Sequence, residues 1–232
     1  YNIPNTILKT PPSTKYLILE MSVEFPGEMG YYLWLAKPDI AVITNISETH
    51  TQYLKSVQGV ANEKEKLILA LSKNDTAVLN RENDYIKNMA KKTNAKVVWF
   101  GKNSDIQAPK IKIDSSLNTI YTLGIRESKI NVQLPIPGKQ FVENSLAAAA
   151  TAYILGISPL NIKKGLESFQ KSEHRMVVIK LKSGALVLDD TYSNNPRAAI
   201  IALNTLKELA NGKKIILVMG DMLELGEDAL RA

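Results

Sequence analysis

The chain has 232 residues, 45% of them hydrophobic and 22% charged, with no cysteine. That composition supports a sizeable core and excludes a disordered chain; the missing thiols exclude disulfides, thiolate metal sites and cysteine nucleophiles. A net charge of +6 arises from 29 Lys and Arg against 23 Asp and Glu. The lysines are dispersed over Lys55–Lys73, Lys87–Lys102 and Lys163–Lys182, with no basic stripe or stacking motif. The balance therefore favours an anionic small substrate or nucleotide over nucleic acid. No apolar run approaches the roughly 20 residues that span a bilayer. Tyr1-Asn2-Ile3-Pro4 has neither a basic n-region nor an h-region, so a reducing cytoplasm is the expected location.

Short β-branched runs alternate with helical patterns in the first part of the chain. Strands are expected at Tyr16–Leu19, Ile40–Thr44, Thr76–Leu79 and Lys96–Phe100, with helices at Gly27–Ala36, Val57–Ser72 and Asp84–Lys92. Strands this apolar are buried on both faces, and helical crossovers between them imply a parallel sheet. The middle reads differently. Ile111–Ile113, Thr119–Ile125 and Ile130–Leu134 are short and polar-flanked, as in an antiparallel flap. After the turn Pro135-Ile136-Pro137-Gly138 comes an Ala-rich helix, Gln140–Leu155, and Ser158-Pro159 opens another.

A boundary is expected near Gln170–Glu173, giving domains 1–172 and 173–232. Beyond it, Met176–Leu181 and Ala185–Leu188 read as a hairpin around Lys182-Ser183-Gly184. Pro196 starts a helix that ends at Asn211-Gly212, Ile215–Met219 reads as a buried strand, and a further helix is expected around Leu230. One hairpin, one helix and one strand do not close a doubly wound sheet, so both ends of the chain read as cut.

Three segments carry chemistry-bearing side chains. Glu20 follows the first apolar run, at the strand end where α/β sheets place ligands; a solvated strand-end acid is the plainer alternative. His50 lies beyond the next strand beside Asn45 and Glu48, where imidazole and carboxylate could hold a divalent ion; an exposed loop histidine is equally admissible. Lys64 sits early in a helix among Glu63, Glu65 and Lys66, a run that by itself reads as charge pairing on a wet face.

Taken in order, the pieces resemble the Mur ligase family. Leu19-Glu20-Met21-Ser22, Lys37-Pro38-Asp39 leading into Thr44-Asn45-Ile46-Ser47-Glu48-Thr49-His50, and Gly59-Val60-Ala61-Asn62-Glu63-Lys64 are similar to segments of that family's central domain. Leu79-Asn80 resembles its nucleotide-side Asn after a strand, and Pro137-Gly138 through Asn144-Ser145-Leu146-Ala147-Ala148 its Gly-x-His-Asn-x-x-Asn-x-x-Ala-Ala segment. Glu173-His174-Arg175-Met176 resembles the Gly-Arg-Met entry to the C-terminal domain. Asp189-Asp190-Thr191-Tyr192-Ser193-Asn194-Asn195-Pro196 and Gly220-Asp221-Met222-Leu223-Glu224-Leu225-Gly226 are most similar to the branch that adds D-alanyl-D-alanine. Two departures stand out. Gln140-Phe141 replaces the family's His-Asn pair, and His174 stands where the family has Gly. No Gly-x-x-x-x-Gly-Lys-[Ser/Thr] phosphate loop occurs in the sequence, so these residues alone are expected to be inactive.

The resemblance implies a parallel-sheet nucleotide-binding α/β central domain followed by the start of a Rossmann-like α/β C-terminal domain. It implies an ATP- and Mg²⁺-dependent ligase of peptidoglycan precursor synthesis that activates a UDP-MurNAc-peptide carboxylate as an acyl phosphate for attack by the D-alanyl-D-alanine amine. Another Mur-type ligase with a different amino-acid or glutamate substrate, or a ligase-like non-catalytic subunit, is the alternative. By the same resemblance Glu20, His50 and a carbamylated Lys64 would hold Mg²⁺, Arg175 would touch the γ-phosphate and Asp190 would sit at the nucleotide. Asn80, Asn144, Tyr192 and Asn195 would contribute on the nucleotide side. A monomer is expected.

Overall fold

The computed structural model describes residues 2–192 and 194–222. Two helices, α1 (Asn2–Lys9) and α2 (Glu28–Leu35), precede β1 (Ile40–Ile43). Helices α3 (Thr51–Leu54) and α4 (Val57–Leu69) lead to β2 (Thr76–Asn80), and α5 (Asp84–Ala90) leads to β3 (Lys96–Phe100). The three β-branched runs pair in parallel, Ile40 beside Thr76 and Thr76 beside Lys96, as helical crossovers require. Asn83 starts α5 by accepting the Ile86 N–H on its side chain.

The sheet then changes character. The short β4 (Ile106–Gln107) is parallel to β3, and β5 (Lys112–Ile113), β6 (Thr119–Ile125) and β7 (Ser128–Leu134) follow. β4 and β5 are antiparallel to β6, which pairs along its whole length with β7. All seven strands form one sheet. Two helices, α6 (Gln140–Ile154) and α7 (Pro159–Glu167), follow; Ser158 caps the second with Pro159 in its first turn. A separate hairpin of β8 (Val177–Lys180) and β9 (Leu186–Asp189) precedes α8 (Pro196–Ala210), which closes on the left-handed Asn211.

Alternate residues of β2 face opposite cores, the period-two consequence of the pleat. Val78 packs with β6, β7, α6 and Ile162 of α7, and Met176 belongs to this cluster. Ala77 and Leu79 pack on the other face with Met29, Leu54, Val60, Ile68 and Ile86.

Two expected strands are corrected. Tyr16–Leu19 and Ile215–Met219 are not strands, and pair with none among the described residues. Ile18 is 89% exposed and Val218 89% exposed. An apolar β-branched run becomes a strand only where a free sheet edge completes its ladder, and neither run lies on one. Conversely, α1 and α3 form where pattern reading placed no helix, because both are too short to show a period. The helix expected around Leu230, and Leu223 to Gly226 of the last motif, lie outside the described residues.

Candidate functional site

Crossovers bring α2, α3 and α4 together over one face of β1 and β2. Ser56 caps α4 by accepting the Gly59 N–H at 3.1 Å. Gly59 is there because nothing larger fits: a Cβ would stand 1.8 Å from the Leu54 carbonyl oxygen. This backbone contact sets how α4 leaves α3, and hence where Lys64 emerges. His50, half-buried with a left-handed backbone (φ 54°), immediately precedes α3.

Glu63 is a site residue that pattern reading missed. It is 4% exposed, and one carboxylate oxygen accepts the Gly27 and Met29 N–H groups at 3.0 and 3.1 Å. Those N–H groups lie at the start of α2, where helix geometry leaves donors unpaired and favours an anion. Its other oxygen holds Lys66 at 2.6 Å. Burial pushes the Glu63 carboxyl up, but Lys66 and the two N–H groups outweigh it and hold it below the usual range. The visible signal was one acid in the Glu63–Lys66 run; nothing local distinguished it from a wet-face charge.

Beside Glu63, Lys64 is half-buried and makes no ion pair among the described residues. Burial alone lowers its ammonium below the ordinary lysine value, which raises the share of nucleophilic neutral amine. Glu20 is exposed in a recess of about 390 Å³ that it shares with Ser22, Glu24, Glu28 and Tyr31. Among the described residues no three His, Asp or Glu side chains gather to hold a metal. Mg²⁺ prefers hard oxygen donors. A donor set of Glu20, His50 and Lys64 would suit it only if the lysine carried an oxygen anion, and a half-buried amine with no ion pair among the described residues is chemically open to such a modification.

The carboxyl ends of β1 and β2 are knitted by asparagines. Asn80 is 3% exposed; it donates to the Thr44 carbonyl at 2.8 Å and accepts the Glu82 N–H at 2.8 Å. Its amide is thus committed to holding the two strand ends. Asn45 accepts from Asn83 at 2.9 Å and from the Arg197 guanidinium of α8 at 3.0 Å. Lys139, at the start of α6, also pairs with Glu208 of α8.

Between α6 and α8 lies a cleft of about 990 Å³ whose charged lining comprises Glu48, Lys139, Glu143, Arg197, Lys207 and Glu208. Burial raises the Glu143 carboxyl, with Arg197 opposing and Glu82 adding. None of Asn80, Asn144, Arg175, Asp190, Tyr192 or Asn195 lines this cleft. Asn144 is exposed on α6.

The predicted C-terminal residues divide. Arg175, Asp190 and Tyr192 come together at the hairpin: the Arg175 guanidinium lies 4.2 Å from the centre of the Tyr192 ring. Asp190 accepts the Met176 N–H at 3.1 Å. Burial raises the Asp190 carboxyl, against the Met176 N–H and the Arg175 charge, which lower it. Asn195 instead caps α8, accepting the Ala198 N–H at 2.9 Å.

With this geometry in place, comparison with known proteins is decisive at the family level. The Mur ligase middle domain matches residues 1–152, and the Mur ligase glutamate ligase domain matches residues 174–232. This chain belongs to the Mur ligase family. Over 97% of its length it is 34% identical to the UDP-N-acetylmuramoyl-tripeptide--D-alanyl-D-alanine ligase of Buchnera aphidicola subsp. Baizongia pistaciae, covering 49% of that protein. A crystal structure of MurF from Acinetobacter baumannii superposes with a TM-score of 0.89 at 25% identity, over 99% of this chain and 50% of that one. MurF ligase from Thermotoga maritima, solved in complex with ADP, shares the fold with a TM-score of 0.81 at 23% identity, over 100% of this chain and 53% of that one. This Mur ligase segment thus spans about half the length of the curated relatives it matches. Among the described residues no helix is long and apolar enough to cross a membrane.

Proposed function

We propose that this chain is the nucleotide- and metal-handling part of an ATP-dependent ligase that joins D-alanyl-D-alanine to a UDP-MurNAc-tripeptide. The observation that carries the reading is Lys64, a half-buried amine without an ion pair among the described residues, standing in the Gly-Val-Ala-x-x-Lys segment one helix after His50. The relatives that match almost the whole chain are named for this reaction, and ADP occupies a solved relative of the same fold. The reaction transfers the ATP γ-phosphoryl to the peptide carboxylate; the dipeptide amine then attacks the acyl phosphate and phosphate leaves.

Such a transfer brings phosphates and a carboxylate together, so fixed positive charge governs it. Bound Mg²⁺ would neutralise phosphate charge, held by Glu20, His50 and the carbamate of Lys64. Arg175 contacts the γ-phosphate from the hairpin, with Asp190 and Tyr192 beside it at the nucleotide. Asn80 serves the nucleotide side through the strand ends it ties, and Asn144 and Asn195 stand as further nucleotide-side residues. We place the domain boundary at 172/173, between α7 and the separate β8–β9 sheet, and the enzyme works as a cytoplasmic monomer where ATP and UDP-linked precursors are available.

The test is Lys64→Ala in the full-length ligase that contains this sequence. Loss of a metal-supporting oxygen lowers phosphate release by about 100-fold, and acetate restores part of it whereas chloride at matched ionic strength does not. Turnover close to wild type overturns the reading and returns Lys64 to the surface charges of α4.

A further inference from the structure

Three consecutive residues at the entry to the hairpin are each fastened to the strand end opposite. His174 and Met176 have left-handed backbones, φ 57° and 50°, on either side of Arg175. Residues with a Cβ occupy that region only when their surroundings enforce it. The enforcement is visible. His174 Nδ1 lies 2.8 Å from Asp189 Oδ2, and its carbonyl accepts the Tyr192 N–H at 3.1 Å. Met176 N–H donates to Asp190 at 3.1 Å, and Arg175 lies over the Tyr192 ring. Asp189 is steadied in turn by the Thr191 hydroxyl at 2.7 Å. Residues 174, 175 and 176 thus meet residues 189, 192 and 190.

A glycine would take the His174 backbone conformation freely. What the histidine adds is its bond to Asp189. We propose that His174 is a positioning residue for Arg175: the His174–Asp189 bond holds the strained turn that stacks Arg175 on Tyr192 and presents its guanidinium in one orientation. The proposal rests on the reading of Arg175 as the phosphate-contacting side chain.

The charged groups facing the imidazole are Asp189, across the hairpin, and Glu173 beside it. The Asp189 hydrogen bond and charge raise the His174 imidazole above its ordinary value, and Glu173 adds to this. The Thr191 hydroxyl and His174 hold the Asp189 carboxyl below its usual range. The charged pair is therefore complete above the lowered Asp189 value and is lost as pH rises through the raised His174 value. The hydrogen bond outlasts the charge, because a neutral imidazole protonated on Nδ1 still donates to Asp189.

Asparagine is the informative substitution. It tolerates the left-handed region, and its Nδ2 can donate to Asp189 from about where the imidazole Nδ1 stands, but it does not titrate. In the full-length ligase, His174→Ala should lower kcat about tenfold, the scale of one lost backbone constraint, with little change in the KM for ATP. The Arg175 side-chain NMR resonance should at the same time lose its ring-current shift from Tyr192. His174→Asn should restore both. Wild-type kcat and an unchanged resonance in His174→Ala would overturn the proposal, as would failure of His174→Asn to restore either. Wild-type turnover in Arg175→Ala would instead remove the phosphate-contact reading, and with it the catalytic purpose of the turn. The resonance would still report whether the turn itself depends on His174.

Discussion

Asn195 shows how a side chain singled out by its motif can also carry a local structural task. Its position before Pro196, in a motif resembling that of a nucleotide-handling family, implies a nucleotide-side role, and its side chain caps α8. Capping satisfies a donor that the first turn otherwise leaves unpaired. Asn195→Ala should therefore destabilise the protein by about 1 kcal/mol, measurable as a lower urea midpoint at unchanged slope. Asn195→Asp, which keeps an acceptor oxygen, should recover most of that loss. Asn80 follows the same logic: a buried amide whose donor and acceptor are both spent on strand ends is a structural tie first.

The joint between α2 and α4 depends on Glu63. Removing its carboxylate leaves two helix-start N–H groups and Lys66 without their partner. Glu63→Ala should cost about 1–3 kcal/mol, read from chemical denaturation. Because the folded carboxyl lies below its usual range, this stabilisation is complete above the unfolded pKa and fades as pH falls through the folded value. The wild type should accordingly show a steeper acid loss of stability than Glu63→Ala. β1, β2, β3, the α6 helix and the β8–β9 hairpin were legible in the sequence because burial on both faces, helical spacing and turn chemistry are local signals. Tyr16–Leu19 and Ile215–Met219 carry the same local signal and are not strands, since pairing depends on an edge supplied from elsewhere in the chain. Glu63 was illegible for a related reason: its burial follows from the start of α2 docking on α4, a contact spanning 36 and 34 residues of sequence. Lys64 stood out only through the family resemblance; composition placed it on a wet face.

At the scale of the whole molecule, the part before residue 173 and the hairpin–helix unit after it meet through few but specific groups. Arg197 reaches Asn45 at the end of β1, Lys139 pairs with Glu208, and Met176 and Ala202 enter the core that contains Val78. One core, between Met21 and Trp99, is nearly contiguous in sequence; the other draws on residues from Ile40 to Ala202. β2 is the element common to both, bonded to β1 and β3 and covered on each face. Its amide protons can therefore meet solvent only when both halves of the interior open together. In hydrogen–deuterium exchange, Ala77, Val78 and Leu79 should be the last to exchange, at a rate set by global unfolding, while the β8–β9 amides exchange sooner through a local opening that leaves the sequence-contiguous half of the interior shut.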